Sequence, residues 1–317
     1  MIVADLLKKT KKTLFSFELL PPLKGKSIQE IYDAIEPLLE FKPAYINVTY
    51  HREEVVYKKR PDGLLEERTI RKRPGTVGIS AAIMHKYNIE VVPHLICSGF
   101  TKEETEDALI DLNFLGIYNL LVVRGDPDKM LKTFVPTKGG HTYASELIEQ
   151  ITNMNKGIYL DEDIANPVPT KFSIGVAGYP EKHPESPNFD TDIRVLKHKI
   201  ACGASYIVSQ MFFDNKHYFK FVEMCRKNGI DVPIVPGLKP ISVRNHLNLL
   251  PKNFYVQIPV ELTAEVEKCK TNKEIEQVGI EWAIMQAKEL IKANVPSLHF
   301  YTMGRSANIA QIARAIY

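Results

Sequence analysis

Glu18 stands in the apolar run "TLFSFELL" (Thr13 to Leu20), between Phe17 and Leu19 and just before Pro21 and Pro22. A carboxyl in such company loses hydration when it ionises, so its pKa rises and it can hold a proton for general-acid work. A second set of charges ends the run "NLLVVRG" (Asn119 to Gly125), which stops on Arg124, Gly125 and Asp126. Three readings of that Arg-Gly-Asp compete: an adhesion tripeptide on a loop, a turn with an incidental ion pair, or the rim of an active site. Two carboxyl groups in unlike surroundings can divide into a neutral proton donor and an ionised stabiliser of positive charge.

The elements that carry these residues repeat. Further apolar runs are Ala44 to Tyr50, Glu90 to Ile96, Phe172 to Tyr179, Ser205 to Phe213, Pro233 to Gly237 and Ser297 to Met303. Each is short and rich in β-branched or aromatic residues, as parallel strands covered on both faces are. Helical patterns separate them. "SIQEIYDAIEPLLE" places Ser27 three residues before Glu30, and "TKEETEDALIDLNFLG" does the same with Thr101 and Glu104, both at capping-box spacing. Gly116 has the position of a C-terminal helix stop. "NFYVQIPV" (Asn253 to Val260) reads as a short extra strand or a loop.

Eight strands alternating with helices suit a closed (β/α)8 barrel or an open doubly wound sheet. The count of eight, and the lack of a G-x-G-x-x-G after the first strand, favour a single-domain (β/α)8 TIM barrel over residues 1–317. Such a barrel carries its active site at the C-terminal strand ends. Those ends supply Glu18, Thr49, His94, Arg124 with Asp126, Tyr179, Gln210, Lys239 and Tyr301, enough for one polar pocket. Plainer roles stand beside each: Thr49 as a strand former, His94 as a core histidine, Gln210 as a surface amide, Arg124 with Asp126 as a structural ion pair.

The segment His51 to Pro74 breaks the alternation with dense mixed charge around a "RPDG" turn signal. It reads as a solvated hairpin, or as a lid or subunit contact. The net charge of +3 is too mild to argue for nucleic-acid binding. No stretch reaches the ~18 apolar residues of a membrane span, and the N-terminal lysines follow the first apolar patch, the reverse of a signal peptide. A cytoplasmic protein is expected. Cys97, Cys202, Cys225 and Cys269 form no C-x-x-C pair and no H-E-x-x-H occurs, so no metal is expected.

The ordered motifs "SFELLPP", "VTY", "PHLIC", "VVRGDP", "VAGYPEKHPE", "VSQMFFD", "PIVPGLKPI" and "HFYTMGR" resemble the catalytic barrel of the methylenetetrahydrofolate reductases over about residues 13–305. Any one motif is weak; the ordered set is specific. The chain is similar to the short bacterial form, without the C-terminal regulatory domain of eukaryotic members. The resemblance implies noncovalent FAD, NADH or NADPH as electron donor, methylenetetrahydrofolate as substrate and a homo-oligomer. It implies ping-pong hydride transfer through the flavin. Glu18 matches the general acid that opens the folate ring, and Asp126 the aspartate near flavin and pterin. Thr49, His94, Arg124, Gly125, Tyr143, Ala144, Tyr179, His183, Asp192, His198 and Lys199 fall at FAD positions. Gln210, His246, Tyr301 and Arg305 fall at folate or nicotinamide positions. His51, His198, His246 and Gly304 depart from the residues usual in the enterobacterial type, and the 51–74 excursion is longer. The rival reading is a flavin-free lyase or aldolase barrel, for which Lys239 is the only Schiff-base candidate.

Overall fold

The computed structural model describes residues 1–127 and 133–317. Eight parallel strands close in the order β1 (Leu14–Leu19), β10 (Ser297–Tyr301), β9 (Ile234–Leu238), β8 (Tyr206–Met211), β7 (Ser173–Gly178), β6 (Asn119–Val123), β5 (Glu90–Ile96), β2 (Tyr45–Val48) and back to β1. This is the expected (β/α)8 barrel. The excursion is a separate antiparallel hairpin of β3 (Glu54–Lys59) and β4 (Leu65–Ile70). Its turn is the one "RPDG" announces: Gly63 has φ +84°, and the Arg60 amide donates to the Leu64 carbonyl at 2.8 Å.

Helices cover the barrel. They are α1 (Val3–Lys9), α2 (Gln29–Ile35), α3 (Thr76–Tyr87), α4 (Lys102–Phe114), α5 (Ala144–Met154), α6 (Phe189–Ala201), α7 (Asn215–Lys227), α8 (His246–Phe254), α9 (Val260–Lys268), α10 (Asn272–Lys292) and α11 (Ala307–Ile316). The Thr101–Glu104 capping box forms at α4, and Gly116 follows that helix with φ +74°. The Ser27 box does not form. The Ser27 hydroxyl accepts from the Gln29 amide at 3.1 Å, and the helix starts one residue later than the spacing implied. "NFYVQIPV" is the end of α8 followed by a loop, since α8 runs to Phe254 and α9 starts at Val260.

Strand alternation sorts the side chains of β1. Phe15 and Phe17 are buried outward in the main core beneath the helices, and Phe15 lies 5.9 Å from the Phe41 ring and 5.7 Å from the Tyr317 ring. Ser16 turns inward, 3.0 Å from His299 Nδ1. With a period of two, Glu18 must share the inner face with Ser16. Below that level the interior is filled by Tyr45, Val92, Leu121, Tyr206, Val208 and Val235, and α1 closes the bottom with Val3, Ala4 and Leu7. Gly175 is required here: a Cβ would lie 2.3 Å from the Tyr206 ring, which passes over β7 so that its hydroxyl donates to the Leu120 carbonyl on β6.

Candidate active site

Register places the inward residues around Glu18. It pairs with Tyr301 on one side and Asn47 on the other, and the Thr302 hydroxyl donates to its carbonyl at 2.7 Å. Glu18 Oε2 is 3.5 Å from His94 Nε2, and their side chains are 17% and 10% exposed. Burial pushes the Glu18 carboxyl up to about 8, against the opposing pull of the Lys239 ammonium. Desolvation wins because an enclosed carboxylate forfeits more hydration than one cation returns. Burial, with the His51 charge, drives His94 down to about 3. At neutral pH the two groups are therefore an uncharged acid and an uncharged imidazole. Asn47 Nδ2 lies 3.2 Å from His94 Nε2 and fixes the ring.

A cationic flank adjoins the acid. Lys239 is buried and lowered to about 8 by burial and the Arg305 charge, with Glu18 pulling the other way. His246 is lowered to about 4 by burial, then Lys239, then Arg305. Tyr301 donates to the Ser209 carbonyl at 2.7 Å. Gly237 leaves room for it, since a Cβ there would meet the Tyr301 hydroxyl at 2.8 Å and the Ser209 carbonyl at 2.3 Å. A register shift between Val208 and Met211 brackets Gln210. A bulge of this kind re-aims a side chain at a barrel rim, and Gln210 Oε1 accepts from the Met211 amide at 2.9 Å.

A second group lies across the mouth. Arg124 bonds Glu185 at 2.6 Å, not Asp126, and its guanidinium sits 4.7 Å from the Phe134 ring centroid. Asp126 is exposed, and its charge reaches Tyr179. Tyr179 packs edge-on to His183 at 4.6 Å. Asp192, 9% exposed, ties the loop after β7 to α6: it accepts from the His183 amide and the Ser186 hydroxyl, each at 3.0 Å. Lys199, about two turns further along α6, is lowered by burial against the attraction of Asp192. Gly125 joins the group through its backbone. Its φ is +88°, and a Cβ would strike Ser98 Oγ at 2.4 Å.

The structure thus brings together Glu18, His94, His246, Tyr301 and Arg305 as one set, and Arg124, Asp126, Tyr179, His183, Asp192 and Lys199 as another. Tyr179 lies close enough to Tyr301 to influence its titration, which links the two sets. Tyr143 and Ala144 sit at the start of α5, Tyr143 exposed and Ala144 buried. His198 is grouped with Glu149 and Cys202 in the seam between α5 and α6. Sequence reasoning missed three mouth residues: Asn47 and Ser98, hidden inside or just after apolar runs, and Glu181, which burial raises to about 7. A polar residue on the inward parity of a buried strand was the available signal for Asn47.

The oxygens Thr49 Oγ1, Asn47 Oδ1 and Ser98 Oγ are buried without a hydrogen-bond partner among the described residues. Buried polar atoms are rarely left so. Beside them opens a cavity of about 560 Å³, walled by Tyr50, His94, Leu95, Phe100 and the first turn of α3. Orphaned oxygens and aromatic walls fit a flat heterocycle, and the cations Arg124 and Lys199 of the second group fit phosphate.

The family model described as methylenetetrahydrofolate reductase matches residues 3–316. The chain is 30% identical over 316 residues to methylenetetrahydrofolate reductase (NADH) 1 of Arabidopsis thaliana, covering 96% of this chain and 48% of that protein. It is 29% identical over 294 residues to the 5,10-methylenetetrahydrofolate reductase of Pectobacterium carotovorum subsp. carotovorum, covering 92% and 86%. The chain therefore spans about half the length of the plant relatives it matches. Among solved structures, a Clostridium thermocellum protein that binds two copies of 5-methyl-5,6,7,8-tetrahydrofolic acid aligns with TM-score 0.57 and 13% identity, over 100% of this chain and 98% of that one. That likeness concerns the fold alone. The strand-end motifs lie where such a barrel keeps its chemistry, and the family match runs nearly end to end: the chain belongs to the methylenetetrahydrofolate reductase family.

Proposed function

We propose that this chain reduces 5,10-methylenetetrahydrofolate to 5-methyltetrahydrofolate with NADH or NADPH, using noncovalent FAD, and so feeds methionine synthesis. The observation that carries the reading is Glu18, held uncharged by burial at the centre of the barrel mouth beside a neutral His94. Methylenetetrahydrofolate accepts hydride only after its five-membered ring opens to an iminium cation, and opening needs a proton on the departing nitrogen. Glu18 has that proton at neutral pH, and Asp126 is the anion that would steady the cation. His94, itself uncharged, adds no charge to draw the proton off Glu18. Lys239, His246 and Arg305 line the flank where an anionic substrate tail would be met.

FAD, when bound, supplies a carrier that takes hydride from the nicotinamide and yields it to the folate. The residues that would hold it are Thr49, His94, Arg124, Gly125, Tyr143, Ala144, Tyr179, His183, Asp192 and Lys199, with His198 at the outer edge of the set. Arg124, at the end of β6, and Lys199, in the last turn of α6, are the cations that would meet the diphosphate. Purified protein should be yellow, lose its flavin absorbance on anaerobic NADH or NADPH, and regain it on methylenetetrahydrofolate. A colourless protein that binds no FAD on reconstitution would refute the reading.

One observation favours the flavin-free aldolase: Lys239 is buried at a strand end and lowered to about 8, as a Schiff-base amine would be. Borohydride trapping with carbonyl substrates discriminates. Under the reductase reading no adduct forms on Lys239.

A further inference from the structure

Outside the barrel mouth, three side chains of metal-binding type converge in the seam between α5 and α6. His198 and Cys202 are four residues apart, one helical turn, so they project from the same face at the end of α6. Glu149 reaches them from α5. Cys202 Sγ lies 3.3 Å from Glu149 Oε1, and 3.9 Å and 3.8 Å from His198 Nδ1 and Nε2. All three ligand atoms fall within 4.8 Å of one another. We propose that Glu149, His198 and Cys202 form a site for a borderline-soft divalent metal such as Zn²⁺.

The spacing is what such an ion needs. Zinc–sulfur bonds of about 2.3 Å and zinc–nitrogen bonds of about 2.0–2.1 Å at a tetrahedral angle put the two ligand atoms roughly 3.6 Å apart. The observed sulfur–nitrogen separations of 3.9 and 3.8 Å are slightly longer than that, so little movement would be required. The ligand chemistry is selective: thiolate with imidazole suits zinc and its neighbours, not magnesium or calcium. Glu149 and His198 are exposed and Cys202 half-buried, so solvent can reach the fourth position. The frame is firm. The Thr152 hydroxyl donates to the Cys202 carbonyl at 2.8 Å, and a Cβ on Gly203 would meet Thr152 Oγ1 at 2.2 Å. The two helices therefore touch closely just behind the ligands.

Without metal the Cys202 thiol carries its proton and donates it to Glu149 Oε1. Binding exchanges that proton for the ion: the S–H bond breaks, a sulfur–metal bond forms, and one proton leaves to solvent. The ion would pin α6, which carries Asp192 and Lys199, to α5. The sequence expectation of no metal looked for ligand pairs along the chain, and the third ligand comes from another helix.

Co²⁺ titration into the full chain, kept reduced with a phosphine, tests the site. One Co²⁺ per chain should bind, with a thiolate-to-cobalt charge-transfer band in the near ultraviolet, and Zn²⁺ should displace it. Cys202→Ser should abolish the band, and Cys269→Ser should leave it unchanged. Glu149→Gln should weaken Co²⁺ binding by at least roughly tenfold, because even partners outside the ligand shell are worth 10–100-fold. Absence of the band from the parent protein, or its survival in a folded Cys202→Ser variant, would overturn the proposal.

Discussion

Glu18 shows how a single residue's chemistry is set by what surrounds it. Its carboxyl is raised from an ordinary value of 4.5 to about 8, so the native state keeps a proton that an unfolded chain would lose between those limits. Across that window stability attributable to Glu18 falls as pH rises, because the folded state binds more protons than the unfolded one. The same titration removes the catalytic proton. Reoxidation of reduced enzyme by methylenetetrahydrofolate should fall about tenfold per pH unit above roughly 8, as for a required general acid. Flavin reduction by nicotinamide, followed by stopped flow, should lack that limb. Lys199 gives a second test: Lys199→Ala removes a half-buried cation attracted by Asp192, and loss of a charge-assisted contact of about 1.5–3 kcal/mol should loosen FAD by roughly 10–100-fold. Flavin retention on dilution or gel filtration measures it, and retention equal to the parent contradicts the role. The flanking Phe17 and Leu19 made Glu18's setting legible in the sequence. The true partner of Arg124, Glu185, was not, because it comes from a loop distant along the chain.

At the scale of elements, the strands were legible because each is a short apolar run ending on a polar residue. The helix α1 was not. Seven residues give little periodicity, and its apolar face is defined only by the barrel floor it covers. Leu7, 3% exposed, packs there with Tyr45, Val92 and Leu121. Leu7→Ala should cost about 2–5 kcal/mol, the usual range for a buried leucine whose cavity cannot collapse. Thermal or denaturant unfolding would report it, and a loss below about 1 kcal/mol would mean that α1 is dispensable. The hairpin β3–β4 is a different case. Val55, Tyr57, Leu64 and Leu65 are exposed, so the hairpin adds little to the core. Its far end returns to the site: Arg71 donates to the Tyr50 hydroxyl at 3.2 Å, and both wall the cavity beside His94. Replacing residues 54–70 with a short turn should leave the barrel folded and raise KM for one substrate. Unchanged KM for both substrates, with unchanged oligomer size by light scattering, would make it a passive surface insertion.

The whole molecule is a barrel with a sealed floor and a polar mouth, and closure is what joins the two halves of the proposed cycle. Strands β1 and β10 are neighbours although they are first and last in the chain. That pairing sets Tyr301 beside Glu18 and brings Lys239, His246 and Arg305 against residues from the first strand. The count of eight strands made closure legible; the order of contacts at the mouth followed from it. The seam holding Glu149, His198 and Cys202 was not legible, since it depends on how two outer helices pack. Both proposed half-reactions use one mouth, yet only one requires a proton on a folate nitrogen. Glu18→Gln keeps the shape of the side chain and removes the transferable proton. The variant should bind FAD, remain yellow, and be bleached by NADH or NADPH at near the parent rate. Its reoxidation by methylenetetrahydrofolate should slow by roughly 10²–10⁴, the worth of a positioned general acid. Reoxidation at the parent rate, or equal loss of both half-reactions, would contradict the assignment of Glu18 as the proton donor.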